Sequence, residues 1–193
     1  MSTVAVVLAA DSGDGFDSPK YLNPVRGSAM LQRVVDDARS WPVDDLIVVL
    51  GSEAEDIADA ISFGDATVLI DPEWEEGLAS PMRAALDMIS RDRTVDLVLL
   101  ARGDQPGIDA GLVTQLISSA AESECDAVVP KFRYAPGWPV VLAPTLWSHF
   151  LGLEDSIDIH DVITTHASSI EEVWVDHLAP PILATKDDLD GVA

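Results

Sequence analysis

Asp104 stands where an apolar run, Leu97-Val98-Leu99-Leu100-Ala101, stops at Arg102-Gly103-Asp104-Gln105-Pro106. A carboxylate just past the end of a buried strand, beside a glycine, can hold Mg²⁺ against a triphosphate. An Asp ahead of Pro in an ordinary turn has the same local pattern. Two other polar segments end apolar runs in the same way, Asp11 to Lys20 and Asp71 to Arg83. In an open parallel sheet the ligand crevice lies beyond the carboxyl ends of the strands. These three segments therefore form the candidate site.

Charge sharpens that choice. The 193-residue chain has 34 acidic and 11 basic residues, for a net charge of −23, and its only lysines are Lys20, Lys131 and Lys186. Such a surface repels nucleic-acid phosphates and anionic lipids, which argues against DNA, RNA or membrane partners. An acidic protein that takes an anionic nucleotide must gather its few cations, or a metal, at the site. Competing chemistries lack their motifs. His149, His160, His166 and His177 are scattered without an HExxH spacing, and no GxSxG, GxxxxGK[ST] or GxGxxG run occurs. Cys125 is the single cysteine, so a disulfide framework or a Cys-based zinc site within one chain is excluded. No apolar run is long enough to span a membrane, and the N-terminus has no basic leader. The cytoplasm is the expected compartment.

The elements that must position these residues alternate regularly. Buried strands are expected over 3–10, 45–50, 66–70, 95–101 and 126–130, from short apolar, β-branched runs closed by Gly, Pro or Asp. Helical spacing appears over 28–40, 53–62, 79–90 and 109–121. Ser28 is a candidate N-cap for the first helix and Ser80 for the third, with Pro81 in the third helix's first turn. This alternation predicts right-handed βαβ units and a mostly parallel sheet covered on both faces. After residue 130 the rhythm changes. Strands are expected at 140–142 and 171–175, with a loop and short helix in the acidic stretch 152–162. The C-terminal third should add an antiparallel or mixed strand. The expectation is one domain over 1–193, a three-layer α/β/α Rossmann-like fold.

Six stretches, in order, resemble one known family. Val6-Val7-Leu8-Ala9-Ala10 is similar to the strand that opens its LAAGxSxRMGxxK signature, and Lys20 falls at the signature lysine. Val48-Val49-Leu50-Gly51 matches its second strand and turn. Asp71 to Leu86 matches its NPxWxxGxxxSLRAAL stretch, Gly103-Asp104-Gln105-Pro106 its GDQP metal motif, and Gly137-Trp138-Pro139-Val140 its GHPV turn. Asp187-Asp188-Leu189 sits where it closes with DIDTPEDL. The chain thus resembles the MobA-like nucleotidyltransferases, and most closely the MocA-type cytidylyltransferases of molybdenum-cofactor maturation. Ala9-Ala10 and GDQP lean to the cytidylyl branch.

The resemblance implies an enzyme that binds an NTP, CTP before GTP, with Mg²⁺, and transfers the nucleotidyl group to a phosphorylated acceptor such as molybdopterin. It implies Asp104 as metal ligand, and Lys20 and Arg83 as cations for the phosphates. It also implies backbone contacts from Leu8, Ala9 and Ala10, with Gly77, Ser80 and Gly103 in the nucleotide site. The alternative is an inactive member that serves as a binding or maturation partner, for instance of a molybdenum enzyme. Departures from the pattern favour that alternative. Asp11, Gly13, Gly15 and Asp17 replace the signature's glycine, serine, arginine and second glycine. Asp11, Asp14 and Asp17 make the loop acidic, which repels a bare triphosphate but could attract it through cations. Trp138 replaces the turn histidine, Ala184 stands at the late metal-binding aspartate, and Glu154 to His160 replaces the GDxGAR stretch.

Overall fold

The structure is a computed structural model that describes residues 1–13, 15–91, 94–133, 135–152 and 158–191. Ten strands and seven helices follow one another along the described chain. They are β1 (Thr3–Ala9), β2 (Pro24–Val25), β3 (Ser28–Ala29), α1 (Met30–Ala38), β4 (Asp45–Leu50), α2 (Ala54–Ala60) and β5 (Thr67–Ile70), then α3 (Ala79–Ser90), β6 (Leu97–Arg102), α4 (Ala110–Ser123), β7 (Ala127–Phe132), β8 (Ala135–Pro136) and β9 (Val140–Leu142), and last α5 (Pro144–Leu151), α6 (Ile159–His166), β10 (Ile170–Val175) and α7 (Lys186–Asp190). Short 3₁₀ turns occupy Lys20–Leu22 and Trp74–Glu76.

The main sheet runs β10-β7-β9-β6-β1-β4-β5, with β8 hydrogen-bonded to β7. β1 pairs in parallel with both β4 and β6, and β4 in parallel with β5. β9 is antiparallel to β6 on one side and β7 on the other, while β10 is parallel to β7. The mixed part expected after residue 130 is therefore one reversed strand wedged inside the sheet.

Every residue of β1 is buried, because each face of the sheet carries its own core. Side chains alternate across a strand. Ala5, Val7 and Ala9 meet α1, α2 and α4 through Leu31, Ile57 and Leu116. Val4, Val6 and Leu8 face α3, α5 and α6 through Met82, Phe150 and Ile163. These are the three layers.

Two local expectations fail for clear reasons. Ser28 does not cap α1, because Ser28–Ala29 pair with Pro24–Val25 in a hairpin and the helix starts at Met30 without a side-chain cap. Ser80 does not cap α3 either, since Leu78 takes the cap position and Ser80 lies inside the first turn. Pro81 does sit in that turn, where a missing N–H does no harm. Helices α5 and α7 had no expected counterpart. Both are short, eight and five residues.

Candidate active site

From β1 the chain steps outward to β4 and β5, then returns to the other side of β1 as β6. Strand order thus reverses between β1 and β6, and a crevice opens beyond their carboxyl ends. The backbone there is tightly stitched. Gly103 N donates to Leu8 O at 2.8 Å and Ser52 N to Ala10 O at 2.9 Å. A Cβ on Gly103 would lie 2.6 Å from Ala9 Cβ, and one on Gly51 would lie 2.4 Å from Trp74 Cβ. Both glycines serve close approach of the chain to itself.

The cleft holds about 160 Å³. Leu8, Ala10, Trp74, Leu78 and Pro81 give it apolar walls, and Asp11, Tyr21 and Arg102 give it a polar floor. Under that floor lies a cluster of charges. Lys20 Nζ donates to Asp104 Oδ2 at 2.7 Å and to Asp11 Oδ2 at 2.6 Å. Arg102 grips Asp104 with two parallel bonds, Nε to Oδ1 at 2.8 Å and Nη2 to Oδ2 at 2.7 Å. The Tyr21 hydroxyl donates to Asp11 Oδ1. The side chains of Lys20 and Asp104 are each 2% exposed, against 24% for Arg102 and 55% for Asp11. The loop closes over Lys20 at Gly13, where φ is 62° and a Cβ would fall 2.2 Å from Lys20 Cβ.

The electrostatics follow from this geometry. Burial pushes the Asp104 carboxyl up, but the bonds and charges of Arg102 and Lys20 outweigh it, and the group titrates below the usual carboxylate range. Burial acts to lower the Arg102 guanidinium, and Asp104 more than offsets it, so its proton is held more firmly than usual. Tyr21 is pushed well above the ordinary phenol range by burial and then by the negative charges of Asp11 and Asp104. It stays a neutral donor.

The residues singled out from sequence separate into groups. Leu8, Ala10 and Gly77 line the cleft. Ala9 and Gly103 are buried. Lys20 and Asp104 are joined to each other under the floor. Ser80 is 2% exposed within α3, and Arg83 is drawn to Glu76 and is not part of the cleft wall. Two of the loop's carboxylates meet lysines, Asp11 with Lys20 and Asp17 with Lys186 of α7. Asp14 and the stretch 154–157 lie outside the described residues. His160, at the end of the replaced acceptor-side stretch, packs its ring edge-on to Trp138 at 6.2 Å.

Tyr21 lay just outside the three candidate segments, and Trp74 and Arg102 lay within them without a role of their own. Arg102 had a usable signal, being one of 11 cations and the last residue of an apolar strand aimed at the crevice.

A resident divalent cation fits this site poorly. Both Asp104 oxygens accept bonds from side-chain cations, and the carboxylate is shut away from solvent. Among the described residues, no three His, Cys, Asp or Glu side chains gather as a cation site. The chain from Pro180 to Leu183 flanks the motif, with Gln105 Nε2 donating to Pro180 O and Leu183 N to Asp104 O, both at 2.8 Å. That segment leads into Ala184 rather than a second carboxylate.

Residues 5–170 match the profile of the MobA-like NTP transferase domain. The chain belongs to that family. Its relatives include the bifunctional protein GlmU of Sinorhizobium medicae, 36% identical over 135 residues that cover 68% of this chain and 29% of GlmU. The chain thus spans under a third of that relative's length. In solved structures, the MobA-like chain is similar to a homologue of Mycobacterium tuberculosis Rv0371c from Mycobacterium sp. strain JC1. The identity is 27% and the TM-score 0.86, over 98% of this chain and 96% of the other. Rv0371c of M. tuberculosis in complex with manganese shares the fold at 24% identity, with a TM-score of 0.85 over 100% and 98% of the two chains. The MocA-type assignment is finer than this match.

Proposed function

We propose that the cleft binds a nucleoside triphosphate and that this MobA-like chain, acting as one domain in the cytoplasm, transfers the nucleotidyl group to a phosphorylated acceptor. The observation that carries this reading is the cleft at the β1/β6 reversal, with an aromatic and apolar wall beside a partly exposed guanidinium. In this reading the base lies against Trp74, and Leu8 and Ala10 approach it through backbone. Arg102 meets the phosphates. An oxygen of the acceptor phosphate bonds to the α-phosphorus as the bond to the bridging oxygen breaks and pyrophosphate leaves. Positioning and charge neutralisation supply most of the rate in such transfers. Ala9-Ala10 and the Gly103-Asp104-Gln105-Pro106 motif support CTP over GTP, and a molybdopterin-type acceptor with them. A divalent cation, Mg²⁺ by expectation, belongs to this reading as the nucleotide's own counter-ion. The manganese complex of Rv0371c supports it, and no side chain of this chain is assigned to it.

A second reading is favoured by Lys20. Its amine, expected at the phosphates, is committed to Asp11 and Asp104 and almost fully buried. A chain that has turned its phosphate lysine inward could serve as an inactive binding partner in maturation of a molybdenum enzyme. Calorimetry with CTP, GTP and ATP separates the two. The transferase reading expects one nucleotide to bind, and Trp74→Ala to weaken it about tenfold or more through lost base stacking. Heat from none of the three would leave the partner reading.

A further inference from the structure

The cluster under the cleft surrounds a carboxylate with cations. A carboxylate past the end of β6 ordinarily has lone pairs to offer a hard cation. Here Asp104 Oδ1 accepts from Arg102 and Oδ2 accepts from both Arg102 and Lys20, at 2.7–2.8 Å. Mg²⁺ or Mn²⁺ could reach those oxygens only by breaking a bidentate guanidinium–carboxylate pair and stranding two largely buried cations. Removing one partner of such a group is strongly unfavourable.

Arg102, by contrast, faces outward as well. A guanidinium has five N–H donors in a fixed fork. Two are spent on Asp104, and among the described residues the other three have no hydrogen-bond partner, on a side chain that is 24% exposed and forms part of the cleft wall. Its far side is steadied by Trp138, whose ring centroid lies 5.9 Å from the guanidinium carbon. That contact uses the attraction of a cation for a ring face. Arg102 is therefore a fixed positive charge, held from below by Asp104 and from the side by Trp138, and turned toward the space where a phosphate would lie.

We infer that Arg102, fixed by Asp104 and Trp138, takes the place of a protein-bound divalent cation in this chain, so that the ligand's phosphates meet a guanidinium and bind without metal. The ligand class is a nucleoside triphosphate, and in that respect the inference rests on the transferase reading. Arg102 presents planar, paired donors suited to phosphate oxygens. Asp104 becomes a positioning residue for Arg102. Lys20 supplies the second cation that keeps Asp104 ionised and closed.

Two measurements on the full chain test this. The first is calorimetry with CTP, GTP and ATP, in excess EDTA and then in Mg²⁺. Affinity for the nucleotide that binds should agree within about threefold between the two conditions, since a guanidinium contact does not depend on metal. A loss of tenfold or more in EDTA would overturn the inference while leaving the transferase reading intact. The second is titration of Mn²⁺ followed by electron paramagnetic resonance, without nucleotide. Arg102→Leu should bind Mn²⁺ at least about tenfold more tightly than the unaltered chain, because it frees Asp104 Oδ1 and leaves Oδ2 bonded to Lys20 alone. Arg102→Gln, which keeps bulk and a donor, should show the same gain and serves if the leucine variant fails to fold. Equal Mn²⁺ affinity in the unaltered chain and the variants would overturn the inference. If no nucleotide binds under either condition, the transferase reading and the phosphate role of Arg102 fall together. The Mn²⁺ arm still decides whether Arg102 closes Asp104 to metal.

Discussion

Two lysine–carboxylate pairs in this chain have the same 2.7 Å separation and opposite settings. Lys20 and Asp104 meet under the cleft with both side chains 2% exposed, while Lys131 and Glu172 meet across β7 and β10 at 24% and 47% exposure. Lys131 also stands 4.7 Å from the ring centroid of Trp174, as Arg102 stands near Trp138. Distance alone would rank the pairs equal. Burial separates them, because a charge shut away from water has no substitute partner, whereas an exposed one falls back on solvent. Identical contacts thus form a structural and functional node in one place and a surface decoration in the other.

The largest expected effect comes from Asp104→Ala. It leaves Lys20 and Arg102 facing each other without a carboxylate between them, and about 3–5 kcal/mol of stability should be lost. Urea denaturation read as a shift in midpoint at unchanged slope checks this. A shift no larger than that of a surface substitution would show the cluster to be wetter than its geometry implies. The pH dependence has a definite sign. The folded carboxyl of Asp104 titrates below its unfolded value, through Arg102 and Lys20 acting against burial. Its contribution is therefore complete above the ordinary carboxylate range and is lost as pH falls through the lowered folded value. The stability gap between the unaltered chain and Asp104→Asn should be widest near neutrality and should shrink in acid. At the alkaline end Tyr21 acts in the opposite sense. Its folded value is raised by burial and by Asp11 and Asp104, so its contribution is full below the ordinary phenol range and fades as pH climbs toward the raised value.

A smaller effect is expected from Gly13→Ala. The residue has φ of 62°, and the added Cβ would fall 2.2 Å from Lys20 Cβ. Backbone strain together with displacement of the Lys20 stem should cost about 1–3 kcal/mol, read as a lowered Tm. The matching change at Gly15, which also has positive φ but nothing within 4 Å, bears the strain without the clash and should cost less. If the two variants melt together, the loop is not what seals Lys20.

The frame of the fold was legible because strand and helix alternate with strong periods. Expected strands at 45–50 and 140–142 coincide with β4 and β9, and those at 3–10, 66–70 and 171–175 agree within a residue. Hidden features depended on partners distant in sequence. Nothing local says that Ser28 prefers Val25 across a hairpin to capping α1. The site divides in the same way. The three polar segments converge, since each follows a parallel strand. Which way Lys20 turns was not readable, because the answer lies 84 residues away in Asp104 and in the substitution of Asp11 for a glycine. Arg83 turns to a near neighbour instead. Glu76, seven residues before it, claims it at the lip of the 3₁₀ turn.

The smallest expected effect is at the exposed pair, and there a near-null result is informative. Glu172→Gln keeps the shape of the side chain on β10 and removes its charge. Lys131 Nζ loses contacts of 2.9 and 2.7 Å to the two carboxylate oxygens, but it keeps the Trp174 face and gains water. Exposed pairs of this kind contribute about 0.2–1 kcal/mol, and salt at 1 M screens them over about 3 Å. The chain's net charge of −23 works against even that, because removing one more carboxylate relieves repulsion elsewhere. The melting temperature should therefore drop slightly or not at all in low salt, and the difference should vanish in 1 M NaCl. A loss comparable to that from Asp104→Ala would mean that contact distance, not burial, sets the strength of these pairs.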